Sequence, residues 1–84
     1  MTTTLTPTDR AAAEIGDRAP GTYYYNPAGT FEVIAVHGPD EARILTGRTG
    51  ALWAVTTRHL ATGHIETHSR AWTTSDHAIP RGQQ

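Results

Sequence analysis

Residues 51–72, ALWAVTTRHLATGHIETHSRAW, constrain the fold more than any other part of the chain. The run is rich in β-branched and aromatic residues and breaks once, at Ala61-Thr62-Gly63. That is the pattern of two long strands joined by a tight turn. A three-residue hairpin loop carries a glycine in the left-handed region at its last position, and Gly63 suits that place. Such a loop predicts the register: Leu60 opposite His64, His59 opposite Ile65, Arg58 opposite Glu66 and Trp53 opposite Ala71. One face then carries Trp53, Val55, Thr57, Ile65, Thr67 and Ala71. The other carries Thr56, Arg58, Glu66, His68 and Arg70. A slip of one residue would put Glu66 among the apolar groups and part it from Arg58, which makes this register the favoured one.

The rest of the chain supplies shorter elements. Residues 1–21 read as an N-terminal tail with a short helix over 8–15 and a linker. Thr8 caps that helix, Asp9 suits its positive end, Ala11, Ala12 and Ile15 form an apolar stripe, and Gly16 stops it. Residues 22–79 form the folded β domain, and 80–84 are a disordered tail. Tyr24 pairs with Phe31 across the turn Asn26-Pro27-Ala28-Gly29. The second strand, 30–37, has apolar Ile34 and Val36 on the same side as Glu32, so it needs cover on both faces, and the helix over 8–15 is the expected cover. Residues 41–46 suit a short strand, although Pro39-Asp40-Glu41-Ala42 would also start a helix; the compact turn Gly47-Arg48-Thr49-Gly50 favours the strand. Residues 73–78 suit a single 3₁₀ turn capped by Ser75 or Asp76. The predicted fold class is mainly β: a small five-stranded antiparallel SH3-like barrel with a short N-terminal helix, its core made of Phe31, Val33, Ile44, Trp53, Val55 and Ile65.

Gly-Asp-Arg at 16–18, followed by Gly-Thr-Phe-Glu-Val-Ile-Ala-Val-His-Gly-Pro-Asp at 29–40, resembles the opening of several small bacterial SH3-like barrels. The resemblance covers about a third of the chain. It implies a fold, and neither an activity nor a site residue.

Composition limits the functional classes. Eighty-four residues make one small domain, without cysteine and therefore without disulfides or thiolate metal sites. No apolar run approaches the roughly 18 residues of a membrane span, and the first ten residues lack a signal-peptide core, so a cytoplasmic protein that keeps out of membranes is expected. All seven basic residues are arginine, and the formal charge of −1 contrasts with the positive balance of a typical nucleic-acid binder.

His64, Glu66 and His68 alternate on one strand at a spacing that could share a zinc ion, but His59 points the other way, and solvated strand residues are the favoured reading. No metal or cofactor is expected. Ser75-Asp76-His77 is contiguous in a cap, which is not triad geometry, and Gly47–Gly50 is too short for a phosphate loop; no enzyme is expected. Alternation separates Tyr24, in the core, from Tyr23 and Tyr25, which either stack on a ligand or cover Ile34. Leu52 pairs with Trp72 at the end of the hairpin beside Arg70, which lacks an opposite charge. A non-catalytic module follows, docking on a protein partner or on itself through Leu52, Arg70, Trp72, Tyr23 and Tyr25. The alternative is a nucleic-acid-binding barrel using Arg43, Arg48, Arg58 and Arg70.

Overall fold

A computed structural model of the chain describes residues 7–80; of the expected terminal tails, 1–6 and 81–84 lie outside the described residues. Two helices, α1 (Pro7–Ile15) and α2 (Pro39–Thr46), accompany β1 (Tyr23–Asn26), β2 (Gly29–His37), β3 (Ala54–His59), β4 (Ile65–His68) and β5 (His77–Ile79). The strands form one antiparallel sheet in the order β4-β3-β2-β1-β5. The sheet is not closed, with β4 and β5 as its two edges. Neither described helix is long and apolar enough to cross a membrane.

Five antiparallel strands were expected, and five are present, but they are not the same five. Residues 41–46 belong to α2. Pro39 fits the first helical turn, where its missing N–H costs nothing; Asp40 and Glu41 suit the positive end of the dipole. Gly47 closes the helix in the left-handed conformation, at φ 70°, donating its N–H to Arg43 O. Those signals outweigh the strand propensity of Ile44, which is consequently 81% exposed rather than in the core. The turn expected over 73–78 is confined to 73–76, closed by Asp76 N–H to Thr73 O at 3.1 Å. The fifth strand is His77–Ile79, which pairs with β1. Its position is held by Asp76, whose carboxylate accepts from Asn26 Nδ2 at 2.8 Å and from Thr73 N at 2.8 Å.

The main hairpin differs from prediction by one residue. The pairs are Arg58 with Ile65, Thr57 with Glu66, Thr56 with Thr67 and Val55 with His68. The loop has four residues, Leu60 to Gly63, closed by His59 N–H to His64 O at 2.8 Å. Gly63 is left-handed at φ 76° and last in the loop, as read from the sequence. A glycine in that place fits a three- or a four-residue loop, which is why it could not fix the register. The slip turns Ile65 outward, 57% exposed, and His68 inward, where it is buried. Glu66 does come to the inner side of the sheet, and Arg70 neutralises it there with a contact of 2.6 Å. Arg58 takes Glu32 instead, its direct partner on β2.

The inner face carries Tyr24, Val33, Val55, Thr57 and Trp53, all buried. Tyr24 stacks on Phe31 with ring centroids 5.3 Å apart. On the opposite face α2 covers one end of the sheet, packing Ala42 against Ala51 and Ala54. A bulge between Val33 and Ala35 resolves the two-sided pattern of β2. It leaves Ile34 exposed and pairs Val36 with Val55. Val36 then lines a groove of about 370 Å³ with Ala11, Ala12, Ile15, Leu52 and Trp53, so α1 lies beside Val36 but does not shield Ile34.

These placements rank two substitutions. Trp53→Ala empties a site that is 4% exposed and is expected to cost about 3–5 kcal/mol in urea denaturation. Ile44→Ala is expected to lie within about 0.5 kcal/mol of wild type; a loss comparable to that of Trp53→Ala would place Ile44 in a core after all.

Candidate functional site

Two regions emerge from the packing: an interior cluster around Arg18, and a sheet face on the far side. Arg18 lies in the N-terminal segment 1–21, outside the expected β domain, yet it is 6% exposed. Its guanidinium donates from Nε to Ile15 O at 2.8 Å, and from Nη2 to Glu14 O and Arg70 O, each at 2.8 Å. The rings of Trp53, Trp72 and Tyr24 surround it, with centroids 5.3, 5.7 and 5.9 Å from its central carbon. Carbonyls in the plane and π faces around it replace the lost hydration. Burial holds the Arg18 pKa below its ordinary value and pushes Tyr24 above its own. The sequence signal for this role was the Gly-Asp-Arg string, which carries no hint of burial by itself.

This cluster uses residues that the sequence pointed toward a partner. Trp72 donates its backbone N–H to Glu14 O at 2.6 Å, and its ring tilts onto Tyr24 at 5.5 Å. A Cβ at Gly16 would lie 2.3 Å from the Trp72 ring, so α1 ends directly against the indole. Leu52 faces the α1 groove. Leu52 and Trp72 are therefore not a cross-strand pair, since β3–β4 pairing ends at Val55 and His68; both are engaged by α1. Arg70 is not unpaired either: Nη2 donates to Glu66 Oε1 at 2.6 Å and Nη1 to Oε2 at 3.4 Å. That contact keeps the Glu66 pKa low.

The arginines singled out for nucleic acid are dispersed and mostly neutralised. Arg43 sits 3.8 Å from Asp40 on α2. Arg58 donates from Nε and Nη2 to Glu32 Oε1 at 2.9 and 2.6 Å. Arg48 makes no ion pair among the described residues and stands in the loop after α2.

Tyr23 and Tyr25 lie together on the outer side of β1, away from Tyr24, as alternation requires. Register places Tyr23 between Ile79 and Glu32, and Glu32 beside Arg58, which faces Ile65. One row, Ile79–Tyr23–Glu32–Arg58–Ile65, thus crosses all five strands. The next row holds His77, Tyr25 and Thr30, continued by Leu60, whose N–H donates to Thr30 O at 3.0 Å. Tyr25 is 48% exposed and stacks on His77 at 5.0 Å. The helix α2 covers the other end of this face, over Ala54. The string Ser75-Asp76-His77 is divided: Asp76 ties down the turn while His77 joins the outer face. No group of three or more metal-ligating side chains gathers among the described residues.

His68 is the inner-face group with the largest shift. Its Nδ1 accepts the Arg70 N–H at 3.2 Å, which places the ring proton on Nε2. Burial, with Arg70 adding repulsion, lowers its pKa to about 4. The fold therefore favours the neutral ring. Its contribution to stability is full above about pH 6.5 and is lost as pH falls from there toward 4, on the order of 3 kcal/mol in all. His68→Asn keeps an acceptor for the Arg70 N–H and cannot titrate. Unfolding free energies of this variant are expected to decline less than those of wild type between pH 6.5 and 4, with most of the difference developed above about pH 5, before Glu66 and Asp76 begin to protonate; parallel curves would assign the decline to other groups.

Comparison with protein-family models, curated proteins and solved structures found no match for this chain.

Proposed function

We propose that this protein is a non-catalytic docking module that binds a protein partner through the outer face of its sheet. The row Ile79–Tyr23–Glu32–Arg58–Ile65 carries this reading. It is an aromatic and arginine-bearing face, as the sequence suggested, but built from Tyr23, Tyr25 and Arg58 rather than Leu52, Arg70 and Trp72. Apolar and aromatic groups flank one ion pair, the arrangement of an interface whose centre is partly desolvated. Tyrosine offers large contact area with little rotamer entropy to lose. Arg58 spends Nε and Nη2 on Glu32 and keeps Nη1 for a partner. The surface therefore fits a protein segment with apolar side chains on either side of a carboxylate or backbone carbonyl.

The open sheet supports the barrel reading at one remove. β2 has nine residues, carries a bulge and is shared by β1 and β3, and a bulge in a long shared strand is a device by which a sheet bends. A half-closed SH3-like barrel is the proposal that fits this bulge. Nucleic acid fits less well: Asp40, Glu32 and Glu66 neutralise Arg43, Arg58 and Arg70, leaving no continuous positive stripe among them.

The test is affinity capture from the host cell, quantified for wild type, Tyr25→Ser, Ile65→Asp and, as a control on another surface, Ile44→Asp. Partner recovery is expected to fall by an amount equivalent to roughly 1–3 kcal/mol for the two face variants and to hold for Ile44→Asp. Equal recovery across the set would remove the sheet face as the docking surface.

A further inference from the structure

We infer that the cleft between α1 and the loop after α2 is a binding site for a small phosphate-type oxyanion. The inference starts from what each described arginine is committed to. Arg18 is buried on backbone carbonyls, while Arg43, Arg58 and Arg70 each hold a carboxylate. Arg10 and Arg48 form no ion pair among the described residues. They come from different elements, 38 positions apart in sequence by their numbers, yet both line one cleft of about 600 Å³.

One wall of the cleft offers further donors to an anion. Gly47, Arg48, Thr49 and Gly50 form one wall. Gly47 N–H is spent on Arg43 O and Arg48 N–H on Thr46 Oγ1. The N–H groups of Thr49 and Gly50 make no hydrogen bond within the described chain, which leaves two backbone donors and the Thr49 hydroxyl beside the guanidiniums. The donor set is two cations and a short turn. It differs from a phosphate loop, whose amides gather at a helix N-terminus, because this turn follows a helix C-terminus.

One acid, Glu14, also lines the cleft. Its Oε1 accepts the Trp53 indole N–H at 2.9 Å, so it serves to fix α1. Against an anion it is a cost, which gives the proposal a sign that a merely structural role would not predict.

The probe is pyrophosphate, titrated into the full chain by calorimetry in low-salt, phosphate-free buffer. Saturable binding with a dissociation constant on the order of 0.1–1 mM is expected. Arg10→Ala and Arg48→Ala should each weaken it about tenfold or more, and Arg43→Ala should leave it unchanged. Glu14→Gln keeps an acceptor for the indole and should tighten binding a few-fold. Near-UV circular dichroism checks that each variant folds, with Arg48→Gln as a second, bulkier replacement at that position. No saturable binding, or affinities indifferent to Arg10 and Arg48, would overturn the site. A parallel titration with a single-stranded oligonucleotide separates the sources of phosphate. Binding of the oligonucleotide alone, weakened also by Arg43→Ala, would overturn the small-anion site in favour of an extended nucleic-acid surface.

Discussion

The structure depends on one buried cation. Arg18 binds three carbonyls belonging to two segments: Glu14 and Ile15 at the end of α1, and Arg70 after β4. A guanidinium can do this because its donors lie in one plane, while its faces accept the rings of Trp53, Trp72 and Tyr24. A lysine ammonium would bring a point charge and no plane. An apolar residue would take the guanidinium donors away from all three carbonyls. A two-turn helix does not persist in water alone; α1 is held by Arg18, by Glu14 on the Trp53 indole and by the Trp72 backbone N–H on Glu14 O.

That cluster explains why the expected partner platform is not one. A tryptophan next to an arginine at the end of a hairpin has the composition of an interface, and here it is the interface of the chain with its own N-terminal helix. Sequence alone cannot tell an internal docking surface from an external one, because the same aromatic and guanidinium groups serve both. The information that separates them is the position of Gly16, left-handed at φ 65°, which brings the α1 backbone flush with Trp72.

What was legible followed from local rules with a single reading. The burial of Trp53 and Val55, the turn after Asn26, the Tyr24–Phe31 pair and the stop at Gly16 all came from alternation or turn chemistry. What failed had two local solutions that only tertiary packing could choose between. Gly63 allows loops of three or four residues, and the loop count decides which face His68 takes. Residues 39–46 carry helix caps at both ends and a strand-like middle. Strand β5, three residues long, has too little pattern to be seen; Asp76 and the free edge of β1 create it. Of the candidate residues, Tyr23 and Tyr25 share a surface, and Arg58 joins them through a cross-strand register that begins at Glu32.

The charge balance, nearly zero for the whole chain, conceals how differently the arginines are used. A net charge of −1 says that acids and bases cancel in number; it does not say that they cancel in place. Glu32 and Glu66 sit within 2.6 Å of Arg58 and Arg70, so the two strand arginines are screened where they stand. Asp40 reaches Arg43 only at 3.8 Å between exposed side chains, a pairing of little energetic consequence. Among the described residues Arg10 and Arg48 have no carboxylate partner at all, and they share a cleft bordered by Trp53. Trp53 immediately precedes β3 and Arg58 lies near its far end, so the run from 53 to 58 borders both the cleft and the docking face. Local pairing, and not composition, decides which face of a neutral protein can receive an anion and which can receive an apolar partner.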